Sequence, residues 1–398
     1  MSKILIVSAV FPPEPIVSAQ ISGSLAVGLA KQQDVTVLCP KPTRPFGCQF
    51  SGEEQSANYK LIRVNSYTCP IYSLTGRFWE SYSFGRQCCR FIKNNHDKID
   101  LIYANTWPLF AQLLTVKTAK KYCIPIVFHI QDIYPESLSN KIPVVEKLIN
   151  FFLVPLDKYI LRNATRIIAI SDRMKSYLAE TRNIDLSKIE VAYNWQDETT
   201  FVQYNQTIRR QVREKKPFVF MYLGNIGPVA GVDLLIDAFS EANLQNSKLI
   251  IAGSGSMKEQ LQNKCAALNL DTIEFWSVPD GKVPEVQAQA DVMLLPIKKG
   301  AAQSSIPSKL PAYMFSEKPI ISCADKNSDI AHAIIESDCG WVLESENISE
   351  LANKMKEVTA LPPKELEEKG GNGFNYAMQR FSKKENLNKL VYHIEELL

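Results

Sequence analysis

The chain has 398 residues, 45% hydrophobic and 22% charged, which is the balance of a globular protein long enough for two sizeable domains. Its net charge of +3 is uneven: residues 1–200 carry a balance of +6 and residues 201–398 a balance of −3. A basic first half expects an anionic partner, a membrane surface or a diphosphate, rather than nucleic acid.

The nine cysteines include no C-x-x-C pair, and the four histidines lie far apart. The cysteines read as reduced, mostly core thiols of a cytosolic chain, and a zinc site is not expected. No apolar run reaches the length of a membrane span. The first one, Ile4–Phe11, is cut off by Pro12-Pro13-Glu14 and reads as a strand rather than the core of a leader.

In chain order, KILIVSAV at 3–10 is a buried strand, followed by a helix from about Ile21 to Lys31 and a strand at Val35–Cys39. Residues 41–60, rich in Pro, Gly and Ser, form a long loop before a strand at Leu61–Val64. A helix over Trp79–Lys93 interleaves cations with rings. Strands follow at Leu101–Ala104 and Ile124–Ile130, then an apolar helix over 143–161, interrupted by Pro155. Arg166–Ile170, Arg173–Thr181 and Ile189–Tyr193 are expected as strand, helix and strand.

Composition turns polar and charged at Asp197–Lys216, which marks a domain boundary. The alternation then restarts. Strands are predicted at Phe218–Leu223, Lys248–Ala252, Ile273–Trp276, Val292–Pro296, Pro319–Cys323 and Trp341–Leu343. Between and after them come helices at Val232–Ala242, Met257–Leu268, Val283–Gln289, Ala331–Ser337 and Ile348–Leu361. Residues 375–398 close the chain as helix. Two separated runs of alternating strand and helix imply an α/β chain of two doubly wound, Rossmann-like domains. In such sheets ligands bind beyond the C-terminal strand ends, and with two domains the expected site is a cleft between them.

The loops at those ends carry the candidate chemistry. After Leu223 comes GNIGPVAG, and after Ala252 comes GSGS; both allow backbone N–H groups to approach a ligand, and Gly231 opens a helix whose N-terminus can hold phosphate. After Pro296 come Lys298, Lys299 and a small polar loop, then Pro307 and Lys309 in the first turn of a helix. A cation is disfavoured there unless an anion accompanies it. These lysines are either a phosphate site or solvated surface charge. After Ile130 comes QDIYPES, where Asp132 is placed to take a proton from an acceptor hydroxyl. A helix cap or a salt bridge is the plainer role for Asp132 and Glu136. His129, inside the strand, reads as a satisfied core histidine.

Taken in order and spacing, ILIVSAVFPPE, TRIIAISDRMKSYLAE, YLGNIGPVAGVDLLIDAF, LIIAGSG and the ADVMLLP…PSKLPAYMFSEKPII block resemble the GT-B glycosyltransferases of family four. The subgroup they resemble most serves bacterial O-antigen, capsule and colanic-acid assembly, where segments like DIYPES and PSKL recur. The resemblance implies a GT-B fold: an acceptor-binding domain over residues 1–200, a nucleotide-sugar-binding domain over 207–377, and a helix near 378–398 crossing back to the first domain. It implies transfer with retention from a nucleotide diphospho-sugar, UDP-linked, to a lipid-linked sugar acceptor, by a cytoplasmic enzyme peripheral to the inner membrane face. It implies no cofactor and no metal.

By the same resemblance the donor contacts fall on Gly224, Asn225, Gly253, Ser254, Val278, Ser304, Ser305, Ser308 and Lys309, with Asp132, Glu136 and Lys309 as catalytic candidates. The chain departs from the family where its phosphate-binding Arg and Lys become Asn225 and Ala230, and where its paired glutamates become Ser304 and Ala312. Lys309 is the nearest substitute cation. Two rival readings stay open: a nucleotide-sugar epimerase of similar architecture, and a non-catalytic nucleotide-sugar-binding subunit. A last expectation concerns a membrane surface. Arg77–Lys93 is the favoured contact; the apolar helix around Phe151-Phe152-Leu153 is either a second contact or, as the plainer reading, packed on the sheet.

Overall fold

Strands buried on both faces read as near-continuous apolar runs, and those runs build two parallel sheets here. The computed structural model describes the chain apart from residues 45–49, 51–57, 70–72, 107–108, 140–145, 209–216 and 299–305. It divides into two compact units, Met1–Asn194 with Asn386–Leu398, and Trp195–Glu385.

The first unit contains β1 (Lys3–Ser8), α1 (Val17–Leu29), β2 (Asp34–Pro40), β3 (Lys60–Val64), α2 (Leu74–Asn95), β4 (Leu101–Thr106), α3 (Leu109–Lys121), β5 (Ile126–Ile130), α4 (Glu136–Ser139), α5 (Glu146–Arg162), β6 (Arg166–Ala169), α6 (Asp172–Arg182) and β7 (Ile189–Val191). Its strands lie in the order β3-β2-β1-β4-β5-β6-β7, each neighbouring pair parallel. Chain order reverses between β1 and β4, the switch point where doubly wound sheets open a crevice.

The second unit contains α7 (Thr199–Ile208), β8 (Phe218–Leu223), α8 (Val232–Ala242), β9 (Ser247–Ala252), α9 (Lys258–Ala267), β10 (Ile273–Trp276), α10 (Val283–Gln287), β11 (Val292–Pro296), α11 (Lys309–Phe315), β12 (Ile320–Cys323), α12 (Asp329–Ser337), β13 (Gly340–Leu343), α13 (Ile348–Thr359) and α14 (Pro363–Arg380). Its sheet has the order β10-β9-β8-β11-β12-β13, also parallel, with the switch point between β8 and β11. The final helix, α15 (Lys383–Glu395), starts in this unit and continues into the first.

Four differences from the sequence reading have physical causes. α3 is a full helix where none was expected; its buried residues Leu109, Ala111, Gln112, Thr115, Val116 and Ala119 mix apolar with polar types, so no apolar stripe shows. α5 is not interrupted: it runs through Pro155, which is exposed, so the helix bond its ring removes lies on the solvent side. The polar stretch after Asp197 contains α7, and Phe201 within it is buried at 1% exposure against Phe315. The tail is two helices. The Glu198 carboxylate separates them, accepting from the Ser382 hydroxyl at 2.6 Å and from the Lys383 amide at 2.8 Å.

Residues 386–398 complete the first unit. Leu387 and Val391 pack beside Gly28, and Arg166 donates to the His393 carbonyl at 2.7 Å and pairs with Glu396 at 2.8 Å.

Candidate active site

In the second unit the ends of β8 and β9 are locked backbone to backbone. The Gly224 amide donates to the Ala252 carbonyl at 3.0 Å, Ile226 to Ser254 at 2.8 Å and Met257 to Ile226 at 3.0 Å, which carries the pairing past the last strand residues. No side chain fits between them. A Cβ on Gly253 (φ 133°) would stand 2.0 Å from the Gly224 carbonyl oxygen, and one on Gly255 (φ 154°) 2.3 Å from that of Ile226. Glycine is needed at both positions for contact as well as for backbone angle.

Two tyrosines fix the same strand end. Tyr222 is fully buried and its hydroxyl donates to the Asn225 carbonyl at 2.7 Å. Tyr313, on α11, donates to the Leu223 carbonyl at 2.8 Å and accepts from the Leu223 amide at 2.9 Å. This ties α11 to β8, and one helical turn before Tyr313 stands Lys309. Its stem crosses Gly224 so closely that a Cβ there would lie 2.2 Å from Lys309 Cε. Its Nζ sits 5.1 Å from the centroid of the Tyr222 ring.

Lys309 is half-buried, and burial holds its pKa below the usual lysine value. Among the described residues no carboxylate pairs with it. Lys298 differs: its Nζ is 3.5 Å from Asp233 in the first turn of α8, an exposed pair that neutralises it locally. Gly231, at φ 69°, is the N-cap of α8 and leaves the first-turn amides without a side-chain partner.

Of the donor-contact candidates, Gly224, Asn225, Gly253 and Lys309 meet at this point, and Ser254 lies on the paired loop with its side chain exposed. Ser308 is the exposed residue capping α11, with no side-chain cap bond. Val278 is half-buried just beyond β10, at the sheet edge. Lys299, Ser304 and Ser305 lie outside the described residues. Ala312 is buried at 9% exposure in α11. The sequence reading missed Tyr222, Tyr313 and Lys258. The ammonium of Lys258 donates to the Gly253 carbonyl at 3.1 Å, which stabilises the turn of the GSGS loop.

In the first unit the end of β5 has the opposite character. Glu136, at the start of α4, accepts from Arg182 at 2.7 Å and from the Tyr177 hydroxyl at 3.0 Å. The Arg182 side chain is 1% exposed and also donates to Asp157 at 2.6 Å and to the Tyr134 carbonyl at 3.3 Å. Burial pushes the Glu136 carboxyl up, but the Arg182 hydrogen bond and charge outweigh it and hold the group below its ordinary pKa. Glu136 thus takes the salt-bridge role. Asp132, four residues earlier, is exposed at the end of the strand.

His129 is fully buried and burial lowers its pKa to about 3, so it is neutral. The Tyr103 hydroxyl lies 2.7 Å from its Nδ1, and the Gln131 amide lies 2.9 Å from its Nε2. Tyr103 is buried with no other partner for its proton among the described residues, so it donates to Nδ1, which leaves the imidazole proton on Nε2. In that tautomer the Gln131 amide presents its oxygen, not its NH2, to the ring.

Two family models divide the chain. Glycosyltransferase Family 4 matches residues 22–199, and Glycosyl transferases group 1 matches residues 204–375. The chain is 24% identical over 317 residues, 75% of each protein, to "Probable glycosyltransferase WbjE" of Pseudomonas aeruginosa. Among solved structures it shares its fold with Anabaena Alr3699/HepE in complex with UDP at a TM-score of 0.71 and 17% identity, covering 99% of this chain and 100% of that one. It likewise shares it with WaaG, a glycosyltransferase involved in lipopolysaccharide biosynthesis, at a TM-score of 0.62 and 16% identity, covering 98% and 99%. With both halves matched in the order of the fold, the chain belongs to the GT-B glycosyltransferases, its first domain of the family 4 type and its second of the group 1 type.

Proposed function

We propose that the enzyme moves a sugar from a UDP-linked donor to a lipid-linked sugar acceptor in cell-surface polysaccharide synthesis, with retention at the transferred carbon. The carrying observation is Lys309: a half-buried ammonium with no carboxylate partner among the described residues, crossing a glycine-only strand end. Isolated buried charge is costly, so such a group is best explained by an anion that arrives with the substrate. HepE, of the same fold, has been solved with UDP-glucose. WaaG's role in lipopolysaccharide biosynthesis supports the choice of pathway class.

In this reading the second domain holds the donor. Negative charge grows on the β-phosphate as the glycosidic bond to the leaving nucleoside diphosphate breaks. Lys309 and the unpartnered first-turn amides of α8 meet that charge, in surroundings less screened than water. Because these groups are fixed before the reaction, little reorganisation accompanies bond cleavage, and a divalent metal is not required. The first domain holds the acceptor, with Asp132 taking or orienting the proton of the attacking hydroxyl. The anchored loop from Gln131 to Glu136 keeps Asp132 at the strand end. No helix among the described residues is long and apolar enough to cross a membrane, and we place the enzyme at the cytoplasmic face of the inner membrane as a peripheral protein. The test is nucleotide release from a panel of UDP- and other nucleotide-sugars. UDP release that Lys309→Ala lowers by roughly ten- to a hundredfold supports the reading. Release equal in the variant and the parent overturns the role of Lys309, and binding without release under every acceptor supports a non-catalytic subunit.

A further inference from the structure

α2, α3 and α5 lie side by side on the first sheet. Phe78 stacks edge-on against Phe110 at 4.7 Å, Gly85 abuts Ala111 and Leu114, Lys117 lies 5.8 Å from the Tyr159 ring and Lys120 donates to Asn163 at 2.7 Å. The contacts advance together along all three helices, so the helices run parallel.

α5 is apolar on two sides. Ile160 and Leu161 are buried in the core, with Leu153 and Leu156 packed against it. A second stripe, Leu148, Phe151, Phe152, Pro155 and Tyr159, follows helical spacing and faces solvent. Phe151 is 72% exposed, Phe152 60% and Leu148 59%; on α2, Trp79 is 56% exposed. The ranking expected from sequence is therefore reversed. The Phe151-Phe152 side is the open one, while Phe84 and Phe91 of α2 contribute to the core.

Charge decides what covers this face. The three helices carry ten Lys and Arg against three Asp and Glu, and one of those acids, Asp157, is consumed by Arg182. Arg86, Arg90, Lys93, Lys117, Lys121 and Lys147 are exposed. A second copy docked through the same face would set two strongly positive surfaces together. An exposed aromatic stripe bordered by cations matches a bilayer interface instead, rings at the headgroup–acyl boundary and cations on anionic headgroups.

We infer that the α2–α3–α5 face docks on an anionic phospholipid surface, with Leu148, Phe151 and Phe152 inserted. Its purpose rests on the lipid-linked acceptor proposed above, but its evidence does not. The test is co-sedimentation of the full chain with vesicles of phosphatidylcholine alone and of phosphatidylcholine with phosphatidylglycerol, at low and high salt. Binding should require phosphatidylglycerol and weaken with salt. A Phe151→Ala/Phe152→Ala variant should bind at least roughly tenfold more weakly. An Arg86→Ala/Arg90→Ala/Lys93→Ala variant should weaken binding by roughly tenfold or more and flatten the salt dependence. Nucleotide release from a UDP-sugar in the absence of vesicles should be unchanged in both variants. No vesicle binding, equal binding to both vesicle types, or a concentration-dependent dimer abolished by Phe151→Ala/Phe152→Ala would overturn the inference. Nucleotide release that persists while vesicle binding fails separates this failure from failure of the transferase reading.

Discussion

Two withdrawn cations mark the two strand-end sites. Arg182 is 1% exposed and meets Glu136, Asp157 and the Tyr134 carbonyl. Lys309 is half-buried and meets the face of Tyr222, with no carboxylate among the described residues. Burial alone therefore does not identify a ligand site. A cation whose charge is answered inside the fold holds structure together, and one whose charge is unanswered is available to a substrate. Glu136 and Lys309 part company on this criterion although both began as catalytic candidates.

The sharpest way to break the comparison is at Asp132, the exposed acid on the anchored loop. Asp132→Asn should retain donor binding and lower kcat by about 10²–10⁴, roughly 3–5 kcal/mol of barrier, read by product formation against donor KM. Transfer at the parent rate would leave Asp132 without a chemical role. Arg182→Met comes next. It strands Glu136 and Asp157 and should destabilise the first domain by about 3–5 kcal/mol in chemical denaturation. A loss below 1 kcal/mol would mean that the network is not what anchors the loop.

Lys309→Ala should cost about 1.5–3 kcal/mol in kcat/KM for the donor. Its isosteric counterpart separates the two cations in sign. Lys309→Met should raise the melting temperature of the unliganded protein and cancel the increase that UDP gives the parent. Arg182→Met, by contrast, lowers the melting temperature with and without UDP. The Lys309 pKa is depressed in the fold, so between its folded and unfolded values the unfolded chain binds more protons and stability rises with pH. The gap between Lys309→Met and parent melting temperatures should accordingly narrow as pH rises from neutrality toward the ordinary lysine range. The smallest expected effect is none: EDTA should leave the rate unchanged, and loss restored by Mg²⁺ or Mn²⁺ would remove Lys309 from its central place.

The fold was legible because apolar runs and their spacing report burial. Phe218–Leu223, Val232–Ala242, Ile273–Trp276 and Val292–Pro296 are found at the residues expected from sequence. What was not legible depends on contacts between distant residues. Tyr103 and His129 share a face because β4 pairs with β5 in the register Tyr103 to Val127. The Arg182–Glu136 pair joins residues 46 apart. The Tyr313 link that sets Lys309 over Gly224 spans 90 residues. Residue types alone also left two readings of α5 open, because an apolar residue facing solvent looks the same in sequence as one facing the core.

The return of residues 386–398 to the first domain bears on how the chain is made. Gly28 meets Leu387 and Val391, the Tyr193 amide donates to Asn386 at 3.0 Å, and Gln33 donates to Glu395 at 3.2 Å. All of Trp195–Glu385 is translated before those partners exist. At about 5–20 residues per second this is a delay on the order of ten to forty seconds. During it the nascent first domain shows the ribosome, and any waiting chaperone, an uncovered patch around Gly28 and Arg166. Folding of the first domain therefore finishes after synthesis of the second, and a chain cut short before residue 386 leaves the first domain without the helix that covers Gly28.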